Sequence, residues 1–260
     1  MPNRVNYYLL ILLLCFSTFA VQSKETIYIS SGEWPPFLGQ ELQQEGLISH
    51  IVREAFASVD IDVVYGYFPW KRSYNYAVRG EGAHKDRWHA TAVWYYSPKR
   101  EKELNYSDVV YEADEVLFYL KSNPIKWHED SDLKGKRIGG TEYSPYPHLE
   151  SLEDKGIVKI VRSGGDDVQM QRLFHRNVDA VSVIKEVGFY YVAKKLTITD
   201  LGQVAFIDNK QYKRYLYLLF STRLEENERL LKEFNRGLRI IRSNGRYFEL
   251  LESFRHGYYW

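Results

Sequence analysis

The hydrophobic residues of this chain recur with helical spacing in some segments and with strand spacing in others. Between 47 and 56 they fall three or four positions apart, which predicts an amphipathic helix. Between 59 and 67 they occupy alternate positions, which predicts a strand with one buried face. Further strands are predicted over 27–29, 90–94, 116–120, 137–139, 157–161, 178–184 and 215–220, and further helices over 72–78, 167–175, 185–194, 226–241 and 247–254. This alternation predicts an α/β protein with mostly parallel sheet, in which ligands bind beyond the carboxyl ends of strands.

The first segment has the pattern of a secretion signal. Arg4 precedes an apolar run over 7–20, and the small residues around Ser23 suit a signal peptidase. We expect residues 1–23 to be a signal peptide that is removed from a secreted protein. Cleavage after Ala20 and an uncleaved anchor are the alternatives.

The composition of the chain argues against cysteine chemistry, metal binding and nucleic-acid binding. The only cysteine, Cys15, lies inside the signal, so the mature chain is expected to have no disulfide, cysteine metal site or cysteine nucleophile. The histidines lack metal-ligand spacing, and we expect no metal or other cofactor. Lysine plus arginine is 35 against 34 acidic residues, a balance that gives no reason to expect a nucleic-acid partner. Removal of the signal takes away Arg4 and leaves 34 against 34.

Five stretches follow one another in a specific order and spacing. They are Gly32-Glu33-Trp34-Pro35-Pro36-Phe37; Gly46-Leu47-Ile48; Ser97-Pro98-Lys99-Arg100-Glu101 with Asn105-Tyr106-Ser107; residues 132–139 with 177–181; and the closing helices with Gly245-Arg246-Tyr247. Together they resemble the family 3 extracellular solute-binding proteins, the polar amino-acid receptors of bacterial ABC importers. The resemblance covers roughly residues 26–258.

The resemblance implies a two-lobed periplasmic binding protein fold of type II. Each lobe would be a mostly parallel sheet flanked by helices, and two hinge strands would join the lobes. Lobe 1 is expected over 25–117 plus 214–260, and lobe 2 over 122–208. Such lobes close on a ligand by a hinge motion. The resemblance also implies a periplasmic location and a monomer.

Arg100 and Trp34 are the first candidate ligand contacts. Family members use the arginine of this motif to clamp a carboxylate, and a planar guanidinium fork matches two carboxylate oxygens. A surface salt bridge with Glu101 or Glu103 is the alternative for Arg100. Trp34 corresponds to the stacking aromatic of the family, or else packs on Pro36.

Three further candidates lie in the first lobe. Trp70 and Arg72 stand where a strand ends and a helix begins, with a core tryptophan and a solvated arginine as the alternatives. Tyr95 lies in the run Trp94-Tyr95-Tyr96, where the family tends to have small hydroxyl residues. Large aromatics there would narrow or reshape the site.

In the second lobe Thr141, Tyr143 and Ser144 precede a predicted helix, whose first N–H groups favour an anion. Ordinary helix capping by Ser144 is the alternative. Ile184 falls near the position where amino-acid receptors of the family carry an aspartate for the ligand's ammonium group. This departure puts an α-amino-acid ligand in doubt.

The expected function is capture of a small polar, carboxylate-bearing, amino-acid-like ligand for ABC-type import, without catalysis. One alternative is a periplasmic sensor that passes a signal to a membrane partner. The other is an enzyme similar to cyclohexadienyl dehydratase on the same scaffold, with Glu142 or Glu186 as the acid.

Overall fold

The computed structural model describes residues 24–82, 86–142, 144–195, 202–207 and 212–260. The predicted signal peptide, residues 1–23, lies outside them. Within these ranges no helix has the length and apolar character needed to cross a bilayer.

Strands and helices alternate along the described chain, as the hydrophobic pattern predicted. The strands are β1 (Glu25–Ser31), β2 (Ile61–Tyr67), β3 (Ala90–Tyr95), β4 (Leu104–Leu120), β5 (Lys136–Gly140), β6 (Val158–Arg162), β7 (Ala180–Ile184), β8 (Val204–Ile207) and β9 (Lys213–Ser221). The helices are α1 (Leu47–Ala57), α2 (Trp70–Arg79), α3 (Pro98–Glu101), α4 (Pro147–Asp154), α5 (Asp166–Phe174), α6 (Lys185–Lys195), α7 (Asn227–Ser243) and α8 (Arg246–Arg255), with short 3-10 turns at Gln43–Glu45 and Asp130–Leu133.

The strands form two sheet regions that share β4. In the first region the order is β2-β1-β3-β9-β4, and β1 pairs in parallel with β2 and β3. In the second region the order is β4-β7-β5-β6, with β5 parallel to both neighbours and β8 on the other edge of β4. The chain leaves the first region through β4 and returns through β9, and these two crossing strands pair antiparallel from Leu104–Ser221 to Asp114–Lys213. The α/β class is therefore confirmed.

Helices α1 and α7 cover one face of the first sheet region. Phe56 and Phe234 are fully buried, with ring centroids 5.1 Å apart. Gly237 allows the close approach of the two helices, because a Cβ at that position would lie 1.9 Å from the carbonyl oxygen of Ala55. This packing forms part of the main hydrophobic core, next to the elements that carry the site.

Three elements escaped the sequence pattern. β4 begins at Leu104, although only 116–120 was predicted as a strand. Its first part carries exposed polar residues such as Asp108 and Glu112, which break the regular alternation. The single-turn helix α3 and the four-residue strand β8 are too short to show a period.

Candidate functional site

Hydrogen bonds between described residues join the first sheet region to the second. Trp34, in the turn after β1, donates from Nε1 to Oδ2 of Asp166 over 2.9 Å. Arg214, on β9, donates from Nη2 to the carbonyl oxygen of Pro145 over 2.6 Å. The two halves of the molecule are therefore in contact at the turn after β1 and at β9.

Asp166 is the first residue of α5, and its carboxyl group lies between the two halves. Burial raises its pKa to about 6, even though the hydrogen bond from Trp34 favours the charged form. The negative charges of Glu115 and Asp167 raise the pKa further. The contact between the two halves thus contains a carboxyl group whose burial opposes ionisation.

Glu115 and Arg214 form a buried pair on the two crossing strands. Their side chains are 12% and 11% exposed, and Oε2 of Glu115 lies 3.7 Å from Nε of Arg214. Ser182 on β7 donates a hydrogen bond to Oε1 of Glu115 over 3.1 Å. Burial raises the pKa of Glu115, while Arg214 and Ser182 act in the opposite direction. The guanidinium of Arg214 also lies 4.0 Å from the ring centre of Tyr95. The rings of Trp34 and Tyr95 meet edge to face, with centroids 6.1 Å apart.

Arg100, on α3, is half-buried among aromatic rings. Its guanidinium lies 4.6 Å from the ring centre of Trp94, and Nη1 donates to the carbonyl oxygen of Tyr95 over 3.0 Å. The pKa of Arg100 is lowered, chiefly by burial, but the group remains a cation near neutral pH. Neither Glu101 nor Glu103 pairs with it.

Those two carboxylates are occupied by tyrosines instead. Glu101 accepts from the hydroxyl of Tyr96, and Glu103 accepts from the hydroxyl of Tyr74. Within the described ranges, Arg100 therefore has no carboxylate partner, and its Nε and Nη2 donate to no protein group.

Trp70 packs against Trp94, the ring that lies over Arg100, whereas Arg72 contacts neither of them. The rings of Trp70 and Trp94 meet edge to face with centroids 5.0 Å apart. A Cβ at Gly32 would lie 2.4 Å from the indole of Trp70, so the glycine makes room for it. Arg72 is exposed on α2, and its guanidinium donates to no described residue.

The loop before α4 is held by its own hydrogen bonds. Thr141 donates from Oγ1 to Oγ of Ser144 over 2.7 Å, and its backbone N–H donates to the hydroxyl of Tyr146 over 2.9 Å. Arg162 donates to the carbonyl oxygen of Ser144 over 2.8 Å. Ser144 does not cap α4, which begins after Tyr146 without a side-chain cap. Tyr143 lies outside the described residues.

Comparisons with known proteins identify the fold. No protein-family model and no curated protein matches the sequence. A histidine kinase sensor domain with similarity to periplasmic binding proteins superposes with a TM-score of 0.71 at 16% identity, over 88% of this chain and 96% of that domain. A protein solved in work on glutathione import in Streptococcus mutans, via GshT and the cystine ABC importer TcyBC, gives 0.70 at 20% identity, over 91% and 97%. An ancestral arginine-binding protein bound to arginine gives 0.68 at 19% identity, over 88% and 98%.

The chain has the two-lobed type II fold of periplasmic binding proteins. At these identities the comparisons establish the fold and leave the ligand open. In this fold the contacts of Trp34 and Arg214 join the two sheet regions.

Asp166, Glu115 and Arg214 were not singled out from the sequence. Asp166 follows two glycines at a helix start, where an acidic residue is ordinarily explained by the helix dipole. Glu115 and Arg214 each follow a second charged residue, Asp114 and Lys213 respectively, and directly precede an apolar run. This is also the pattern of a solvated strand end. Only the pairing of β4 with β9 brings these two charges together.

The end of β7 carries no acidic side chain. Ile184 is 2% exposed and packs in the main core. Glu186, two residues further, is half-buried with its pKa raised by burial, and its Oε2 has no hydrogen-bond partner. No group of three or more potential metal ligands occurs in the parts of the chain that the structure describes.

Proposed function

We propose that the protein is a periplasmic solute-binding protein that closes on a small polar ligand with a carboxylate group and delivers it to an ABC-type importer. The single observation that carries this proposal is the state of Arg100. A half-buried guanidinium, held by the carbonyl oxygen of Tyr95 and the ring of Trp94, has donors left for two carboxylate oxygens.

The lobes and the contact residues belong to the same proposal. Lobe 1 would comprise residues 25–117 plus 214–260, and lobe 2 residues 122–208, after removal of the signal peptide. Trp34 and Tyr95 would cover the ligand from lobe 1, while Thr141, Tyr143 and Ser144 would face it from lobe 2. Trp70 acts through Trp94, and the exposed Arg72 would meet the ligand only if the lobes rearrange around it.

The first test is thermal melting of residues 24–260 against amino acids, other organic acids, amines and sugars. A ligand that binds only the folded state raises the melting temperature. Arg100→Ala should abolish the shift produced by a carboxylate ligand. Lys99→Ala, an exposed neighbour on α3, should leave it intact. A shift that survives in Arg100→Ala would show that the carboxylate clamp is assigned wrongly.

The likeness to a kinase sensor domain favours one second candidate, a sensor that reports its ligand to a membrane partner. Uptake of labelled ligand by cells that lack the protein separates the two roles. Reduced uptake supports the importer. Unchanged uptake together with a lost transcriptional response supports the sensor.

We further propose that the protein has no catalytic chemistry of its own. The two buried acids Asp166 and Glu115 already have protein partners, Asp166 with Trp34 and Glu115 with Ser182 and Arg214. Incubation with a cyclohexadienyl acid should therefore give no aromatic product by ultraviolet absorbance. Turnover that exceeds the spontaneous rate would favour the dehydratase-like alternative.

A further inference from the structure

The segment after α8, residues 257–260, turns back on the helix and is called the tail here. Gly257 has φ of 82°, and its N–H donates to the carbonyl oxygen of Phe254 over 2.9 Å. The N–H of Tyr258 donates to the carbonyl oxygen of Ser253 over 3.0 Å. This pair of bonds around a left-handed glycine ends a helix and reverses the chain. The direction of the tail is therefore fixed by the end of α8.

Tyr259 anchors the tail to the first lobe. Its side chain is fully buried, and its hydroxyl oxygen lies 2.8 Å from Nδ1 of His50 on α1. The rings of Tyr259 and Phe254 have centroids 6.1 Å apart. A buried aromatic ring whose hydroxyl has a hydrogen-bond partner holds the adjoining backbone in place. The tail is therefore part of the lobe that contains α1 and α8.

Trp260, next to this anchor, contacts the second lobe. Its ring centroid lies 6.1 Å from that of Tyr190, and the two planes are inclined by 56°. Tyr190 is on α6, which packs against β7 in the second sheet region. Trp260 also lies 6.5 Å from Phe254 of its own lobe, but 41% of its surface is exposed. The ring pair thus joins the lobes at a place other than the contacts of Trp34 and Arg214.

The ring pair stabilises one arrangement of the lobes over others. An aromatic pair at this spacing adds stabilisation beyond its buried area, which corresponds to about two- to ten-fold in an equilibrium constant. One ring is fixed to α1 through Tyr259, and the other is on a helix of the second lobe. A hinge motion that moves the lobes apart must therefore break the pair.

We propose that the tail is a strap between the lobes. The ring of Trp260 packs against Tyr190 and favours the arrangement in which the lobes are in contact, before any ligand is present. The strap itself rests on the two-lobed fold. Its consequence for binding rests on the proposed function: if the ligand binds between the lobes, a strap that populates the contact arrangement raises the apparent affinity for that ligand.

Pulsed electron paramagnetic resonance between two nitroxide labels measures the separation of the lobes without a ligand. Residues 24–260 contain no cysteine, so Glu41→Cys and Lys155→Cys, at exposed positions of the first and the second lobe, supply the attachment sites. Trp260→Ala should raise the ratio of long to short distances about two- to ten-fold. Tyr190→Ala should do the same, and the double variant should add little, because both changes remove one contact. An unchanged distance distribution in Trp260→Ala would overturn the strap.

Tyr258→Ala is the matched control, because it removes an aromatic ring from the same tail. Tyr258 is 47% exposed, accepts a hydrogen bond from Nε2 of Gln43 over 3.1 Å and meets the ring of Tyr259, so these contacts lie within the first lobe. Its loss should leave the label distances unchanged, with circular dichroism confirming that each variant folds. An equal change in Tyr258→Ala would show that the tail acts through the fold of its own lobe and would refute the strap. Since no ligand is added, that result leaves the proposed function intact, and the melting screen tests that function separately.

Discussion

Asp166→Asn should make the protein more stable above pH 6, although it removes a residue that joins the two lobes. The amide oxygen of asparagine can still accept the hydrogen bond from Nε1 of Trp34. What the substitution removes is a carboxyl group whose ionisation is opposed by burial and by the negative charges of Glu115 and Asp167. The folded variant therefore keeps the hydrogen bond from Trp34 and loses the destabilising negative charge at position 166.

The size and sign of the effect follow from the pKa. The folded-state pKa of Asp166 is about 6, compared with an ordinary value of 3.8. The folded protein therefore holds this proton more tightly than the unfolded chain between these two values. Stability contributed by Asp166 is intact below pH 3.8, falls as the pH rises to 6, and stays low above it. The difference in pKa corresponds to about 3 kcal/mol at neutral pH.

Urea unfolding measures the prediction directly. Free energies of unfolding of the unmodified chain and of Asp166→Asn are compared at several pH values from 3.5 to 7.5, a range chosen as roughly the titration window of a carboxyl group with a raised pKa. The difference between the two proteins should grow with pH in favour of the variant and level off above 6. A difference that stays constant across this range would refute the reasoning, because it would show that the carboxyl group titrates alike in both states.

Three further substitutions test the packing and the buried ion pair. Gly237→Ala should lower the free energy of unfolding by about 3 kcal/mol, since its Cβ would overlap the backbone oxygen of Ala55; an unchanged midpoint in urea would contradict the close helix contact. Phe234→Ala should cost about 4 kcal/mol by opening a cavity among buried rings, and a loss below 1 kcal/mol would mean that the core collapses around it. Arg214→Met should cost about 3 kcal/mol by leaving Glu115 buried without a positively charged partner, and adding Glu115→Gln should restore part of that loss. Failure of the double variant to recover stability would show that the two charges are not coupled.

The helices and strands of this chain were predictable because each buries one face. The apolar spacing at 47–56 predicted α1, and Gly245, with φ of 89°, marks the break between α7 and α8 as expected. The pattern failed where burial is not periodic. The first part of β4 has exposed polar positions, yet it is held by its pairing with β9. The hydrophobic pattern of a strand shows which of its two faces is buried, but it does not show which strand pairs with it.

The candidate site was predictable only in part, and the reason is geometric. Motif resemblance named Arg100 and Trp34, and the structure places Arg100 without a carboxylate partner in the described ranges and Trp34 between the lobes. The motif resemblance could not name Asp166 as the partner of Trp34, because those residues lie 132 positions apart in the sequence.

The sequence by itself determined the alternation of elements, the α/β class and the motif order that indicated the fold. The tertiary structure decided which charges meet. Strand pairing brought Glu115 against Arg214, and lobe contact buried Asp166. Hydrophobic periodicity is a local property of the chain. Electrostatic pairing and burial depend on residues that are distant in sequence, so they exist only once the fold has formed.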